Sequence, residues 1–290
     1  MATAADRVPV AKTYKIYIDG KFPRTESGRY FALEDDDGAT IANICRGSRK
    51  DFRNAVVAAR NAFGGWSGTS AYLRGQILYR IAEMLEGRQE QFVAELVQQG
   101  LSKRKARNET EAAIDRLIYF AGWSDKYQQV FSSVNPVSSS HFNFSVLEST
   151  GVVSIIAPDE SGLLGLVSNV APAIVGGNTV VVLASEKLPL CAISFAEVLH
   201  SSDVPGGVVN ILTGYRAELT GQFSSHMDVN AVIYCDADAE IAASIQQQAA
   251  DNIKRVIARV DVDWNKTSAQ HPYLIRDTQE VKTTWHPIGS

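Results

Sequence analysis

The chain has 290 residues, 45% of them hydrophobic and 21% charged, with a formal net charge of −4, a profile that fits a globular protein able to bury a core without disulfides or metal. The mild charge and the absence of basic runs interleaved with aromatics argue against nucleic acid, and no apolar run approaches the roughly 20 residues that cross a bilayer. Cysteines without CxxC spacing, and an N-terminal MATAADRVPVAK without an apolar signal core, argue against a metal site and a secreted disulfide framework and make the cytoplasm the expected location.

Short strand-like pieces come first, at 14–18, 29–33 and 39–45, separated by the turn signals Asp19-Gly20, Ser27-Gly28 and Asp37-Gly38. Helical periodicity follows. Ser48 is a candidate cap for a helix over 51–63. Leu73, Ile77, Ile81, Leu85, Phe92 and Leu96 recur mostly at three- and four-residue steps, which predicts a helix over 73–96 stopped by Gly100. A third helix over 109–131 turns Ile114, Leu117, Ile118 and Ala121 inward. The Ser-rich stretch 132–149, with Asn135-Pro136 and an alternating 141–147, reads as a hairpin.

From Gly151 a repeat begins. Apolar β-rich runs at 152–157, 179–183, 208–212, 231–235 and 256–260 alternate with helical segments at 163–175, 189–200, 217–225 and 238–251. Strands that are apolar throughout and alternate with helices indicate a parallel sheet covered on both faces. Right-handed crossovers then give an α/β, doubly wound, Rossmann-like sheet. The Gly176-Gly177 and Pro205-Gly206-Gly207 clusters do not follow strands and read as helix ends and turns. In the tail, 273–285 is predicted as one long strand, ended by Pro287 and Gly289, that pairs with the 132–149 hairpin. The division expected is therefore a main unit over 1–264, carrying the hairpin, and a C-terminal strand over 265–290.

Several strings resemble aldehyde dehydrogenases: IYIDGKFPRTESGRYF, DFRNAVVAARNAFGGW with its Trp66, RGQILYRIAEMLEGRQEQFVAEL beginning at Arg74, ETEAAIDRLIYFAGWSDK, APAIVGGNTVVVLASEKLPL, DVPGGVVNILTGYRAELTGQFSSHMDV and, near the end, EVKTTW. The resemblance covers nearly the whole chain and implies a cofactor domain plus an oligomerisation flap. Its departures bear on function. Where the family has Pro-Trp-Asn-Phe-Pro, whose Asn stabilises the oxyanion of the tetrahedral intermediate, this chain has Pro158-Asp159-Glu160-Ser161-Gly162, placing Glu160 at the Asn position. The family grips the adenosine ribose with a Lys and a Glu; here Leu183 replaces the Lys and Glu186 is vestigial. The Phe-Thr-Gly-Ser loop that admits a pyrophosphate to a helix N-terminus reads Tyr234-Cys235-Asp236-Ala237-Asp238-Ala239-Glu240, whose acids would cap that helix and repel phosphate. The general-base Glu aligns with Arg259, which stays protonated. The segment expected to carry the nucleophilic cysteine, past Lys254, is missing.

The resemblance thus implies no catalytic residues, no metal, and lost NAD binding. The chain resembles the degenerate C-terminal half of type-sixteen aldehyde dehydrogenases. The function expected is a non-catalytic scaffold or regulatory subunit, a homo-oligomer or a hetero-oligomer with an active aldehyde dehydrogenase. Two alternatives stand beside it. One is an oxidoreductase with residual NAD binding through Glu186 or an active site completed in trans. The other is a crevice holding a cationic ligand through Asp159, Glu160, Asp236 and Asp238, against the reading of these as loop carboxylates. Cys45 and Cys191 read as buried, and Cys235 as a structural thiol among acids. His271 and His286 read as surface or interface residues.

Overall fold

A computed structural model describes residues 11–35, 37–235 and 237–289; Asp236 lies outside them. Three short strands, β1 (Lys12–Tyr14), β2 (Tyr30–Glu34) and β3 (Thr40–Cys45), form a sheet in the order β1-β3-β2. The three predicted turns hold left-handed backbone at Gly20, Gly28 and Gly38, a conformation that suits glycine. Of the first predicted strand only its start pairs as β1, while Tyr17 and Ile18 make isolated bridges.

Helix α1 (Arg49–Ser67) starts at Ser48, whose hydroxyl accepts from Asp51 N–H while the Asp51 carboxylate accepts from Ser48 N–H, a complete capping box. The helix expected over 73–96 is two helices, α2 (Ala71–Glu86) and α3 (Gln89–Gln98). Gly87 caps the first, and the seven-residue gap between Leu85 and Phe92 is where the apolar spacing had slipped. Gly100, in the left-handed region, stops the second. The 109–131 helix likewise divides into α4 (Lys103–Trp123) and α5 (Tyr127–Phe131). Ile114 and Leu117 are buried as expected, but Leu73 and Ile118 face outward. At those positions tertiary packing chose a neighbouring helix face: Arg74 and Arg116 lie inside, each held by carbonyl oxygens.

The parallel sheet comprises β6 (Val152–Ile156), β7 (Thr179–Leu183), β8 (Val209–Leu212), β9 (Ala231–Tyr234) and β10 (Arg255–Ala258), in the order β10-β9-β6-β7-β8 with every pair parallel. Helices α6 (Leu164–Val175), α7 (Leu190–His200), α8 (Arg216–Ser225) and α9 (Ala239–Ala250) connect them. Alternate residues separate two cores, as a pleated strand requires. Val153, Ile155, Val180 and Val182 pack with α2, α4, α6 and α7, whereas Val152, Ile156, Val181 and Leu183 pack with Phe52, Phe223 and Ile245 of α1, α8 and α9. The sheet is doubly wound, as the sequence predicts.

After β10, residues 259–278 lead directly to the last strand. Buried Arg116 clasps this connection, donating to the carbonyls of Trp264 (2.9 Å) and Ala269 (3.2 Å) and to Gln270 (3.0 Å). The predicted strand over 273–285 instead begins with a one-turn helix, α10 (Tyr273–Arg276), because Pro272 presets the helical φ at its start. The strand proper, β11 (Gln279–Pro287), pairs antiparallel with β5 (His141–Ser149), which pairs with β4 (Ser133–Asn135). Hairpin and tail strand thus form one three-stranded sheet. No helix among the described residues is long and apolar enough to cross a membrane.

Candidate functional site

Ligands of doubly wound sheets bind outside the carboxyl ends of the strands, where successive helices leave toward opposite faces. Here that point lies between β6 and β9. A crevice of about 420 Å³ opens there, walled by the loop after β6, by Lys187, Arg216 and Cys235, and by Arg259, Asp261 and Trp264 from the connection after β10.

The loop after β6 is fastened from two sides. Asp159 Oδ1 accepts from Glu186 N–H (2.8 Å) and pairs with the Arg216 guanidinium at 3.1 Å, the two side chains being 21% and 11% exposed. Ser185 Oγ donates to the Asp159 carbonyl and accepts from Leu188 N–H. The Arg216 guanidinium also donates to the Ala157 carbonyl. From the other side, buried Glu109 of α4 accepts from Ser161 Oγ (2.8 Å), Leu163 N–H (2.9 Å) and Leu164 N–H (3.2 Å). A carboxylate at the start of α6 satisfies free helix N–H groups and complements the helix dipole.

The residues singled out in the sequence are placed as follows. Glu160 projects to solvent, 83% exposed, and pairs with Lys187. Leu183 is fully buried in β7. Glu186 Oε2 accepts from the main-chain N–H of Arg216 (2.7 Å), so this carboxylate caps α8. Asp238 Oδ1 accepts from Glu240 N–H (2.8 Å) and Ile241 N–H (3.1 Å), capping α9 as its composition suggested. Arg259 is buried, donating to Asn169 Oδ1 at 2.8 Å and lying 3.4 Å from Asp277 Oδ2. Burial pulls its pKa below the usual guanidinium value, with Asp277 partly opposing.

Of the four acids proposed for a cationic ligand, the three that the structure describes already have partners within the chain. Asp159 and Glu160 are ion-paired, Asp238 is a helix cap, and Asp236 lies outside the described residues. Cys235 contacts Asn169 Oδ1 at 3.8 Å, the atom that Arg259 also reaches. Its setting thus includes a cation as well as the acids that adjoin it in sequence. Cys45 and Cys191 are buried, and burial raises the Cys191 thiol well above its usual pKa. His286 is exposed, while His271 is half-buried. Among the described residues no group of three or more His, Cys, Asp or Glu side chains could hold a metal.

Arg216 and Glu109 lie within strings that resemble the family but were not singled out as site residues; each is coupled to the crevice by tertiary contact.

An aldehyde dehydrogenase family model matches residues 24–262. The "Aldehyde dehydrogenase, cytosolic 1" of Elephantulus edwardii is 33% identical over 252 residues, 83% of this chain and 49% of the relative. The cytosolic 10-formyltetrahydrofolate dehydrogenase of Mus musculus is 30% identical over 260 residues, covering 87% of this chain and 29% of its own. In three dimensions, the NAD+ complex structure of an aldehyde dehydrogenase from Bacillus cereus matches 86% of this chain and 51% of its own, with a TM-score of 0.81 at 26% identity. The chain spans about half the length of the first curated relatives it matches.

Proposed function

The chain belongs to the aldehyde dehydrogenase family, and from that premise we propose that it is a non-catalytic member: a scaffold or regulatory subunit that binds no NAD and acts by association. Its partner is a second copy or an active aldehyde dehydrogenase. Two parts form the unit, the crevice-bearing body over 1–264 and the strand segment over 265–290.

The observation that carries this reading is that the crevice's own side chains use the groups a dinucleotide would need. Helix N–H donors are what bind a pyrophosphate. At α9 those of Glu240 and Ile241 are taken by Asp238, whose negative charge opposes a phosphate. Glu186, the acid aligned with ribose binding, is committed to the start of α8. Leu183 offers no ammonium, and Arg216 closes over Asp159 and the Ala157 carbonyl. The residues present do not fit NAD. Where a general base would stand, Arg259 is buried against Asn169, and a guanidinium accepts no proton at neutral pH. By contrast the flap sheet of β11, β5 and β4 keeps its three strands paired, and β11 is exposed from Glu280 to Pro287, which supports a role in assembly.

Calorimetric titration of the chain with NAD tests the reading. No saturable heat is expected. A saturable isotherm that Glu186→Ala abolishes would overturn it and favour residual cofactor binding.

A further inference from the structure

The outer edge of the flap sheet is an open strand edge. Strand β11 lies at the border of that sheet, in the order β11-β5-β4, and from Glu280 to Pro287 every residue is exposed. In an antiparallel pair, alternate residues direct both main-chain polar groups at the partner and the residues between direct theirs away. The β11–β5 register pairs Gln279 with Ser149 and Pro287 with His141. Just outside it, Thr150 N–H donates to Thr278 O and Ile288 N–H donates to Ser140 O. The even-numbered residues 278–288 therefore bond to β5. Val281, Thr283 and Trp285 present their N–H and C=O groups to the open side. Two details agree with this parity. The outward Gln279 carbonyl is met by Arg255, and Pro287, which has no N–H, falls at an outward position where no intrachain donor is lost.

We propose that two copies of this chain join by antiparallel pairing of β11 with β11 about a two-fold axis through Thr283, extending each flap sheet into the next. The inference rests on the self-association reading above and names the surface that serves it. In this register the outward residues face one another, Thr283 opposite Thr283 and Val281 opposite Trp285, so the ladder closes with matched donors and acceptors. Between them Glu280 stands opposite His286 and Lys282 opposite Thr284. An apolar β-branched residue against an aromatic is a favourable cross-strand pair, which the symmetry counts twice, and Glu280, whose Oε1 already meets Arg255 and Thr150, has no like charge opposite it. Centring the axis on Lys282 would oppose two ammonium groups; centring it on Thr284 would oppose Lys282 and His286. Hydrogen-bond parity requires the axis to fall on a residue and is met by all three of these centres; charge then favours Thr283 over Lys282 and Thr284. Beyond the ladder, Ile288 of the second copy, 51% exposed in the single chain, would reach the groove beside Gln279 lined by Val256, Ile257 and Tyr273.

Sedimentation of the full chain, with two variants, tests this. Thr283→Pro removes an outward N–H, denying the edge its central bonds; toward β5 it costs only the side-chain contact of Thr283 Oγ1 with Ser145 Oγ (2.8 Å), since the main-chain bonds to β5 come from the even-numbered residues. The wild type is expected to be a dimer, and T283P to dissociate at least about tenfold more readily with unchanged circular dichroism. In a Lys282→Cys, Thr284→Cys double variant the two cysteines face each other across the axis at the short separation, about 4.5 Å between Cα atoms, that a disulfide accepts. Oxidation is expected to give a covalent dimer, a readout that stands even if T283P misfolds. A wild-type dimer that persists in T283P and yields no cross-link overturns the β11 edge while leaving self-association intact. A wild type that is monomeric at every concentration, and yields no cross-link, overturns self-association itself.

Discussion

Lys254, at the foot of β10, shows how one buried side chain shapes the response to pH. Its ammonium donates to the His226 carbonyl at 2.8 Å, and burial pushes its pKa down from 10.5 to about 8. Below about 8 both folded and unfolded chains carry the charge, and the desolvation cost is present in full. Between 8 and 10.5 the folded chain has released a proton that the unfolded chain keeps, so stability rises with pH across that window. The gain is at most about 3 kcal/mol. Tyr17 acts oppositely but later: burial, then the Asp19 charge, raise it from 10.0 to about 12, so its loss of stability begins only above pH 10. Urea unfolding midpoints should therefore climb from pH 8 toward 10, and Lys254→Met should flatten the climb. A flat wild-type profile would sink this account. Nothing in the local sequence marks Lys254 as buried, just as nothing marked Glu109 or Arg216; each is defined by what folds over it.

At the scale of elements, the strength of local signals decided what could be read. The capping box at Ser48 is a short-range pattern, and it starts α1 where the sequence placed it. Ser48→Ala should cost about 1 kcal/mol and lower the melting temperature by a few degrees, with Asp51→Ala at least as costly because that carboxylate also accepts from Glu26 N–H. An unchanged midpoint in S48A would mean that Asp51 alone holds the helix start. The strands of the parallel sheet were equally legible, since an uninterrupted β-branched run flanked by helices has few other solutions. Helix breaks were not. Gly87 and the 124–126 turn interrupt apolar periodicities that resume on the far side, and only packing fixes where each segment ends. The one-turn helix before β11 was hidden by β-compatible residues, although Pro272 was a local signal that could have revealed it.

For the whole molecule, the three thiols sample three places: Cys45 in β3, Cys191 in α7 and Cys235 at the crevice. Cys45 and Cys191 are 3% and 0% exposed, in the two cores that share the parallel sheet between them. Because that sheet belongs to both cores, their loss should be cooperative. A thiol reagent should modify no more than Cys235 in the native chain, and denaturant should release Cys45 and Cys191 in a single coincident transition. Separate midpoints would show instead that the N-terminal sheet unfolds independently.

The doubly wound order of strands and helices, the pairing of hairpin with tail, and the family were all legible in the residues alone. These rest on period, chirality and ordered motifs, which act over short stretches of chain. The sequence also placed Leu183, Glu186 and Arg259 at positions where the resemblance expects other residues or other roles. What they do instead emerges from packing: Leu183 is buried in β7, Glu186 caps α8 and Arg259 is buried against Asn169, while Arg216 closes over Asp159. Likewise the identity of β11 was legible, but which of its main-chain groups remain open depends on the register with β5. Hydrogen bonds and ion pairs between distant segments are set by geometry that forms only when the layers pack, and composition carries no record of it.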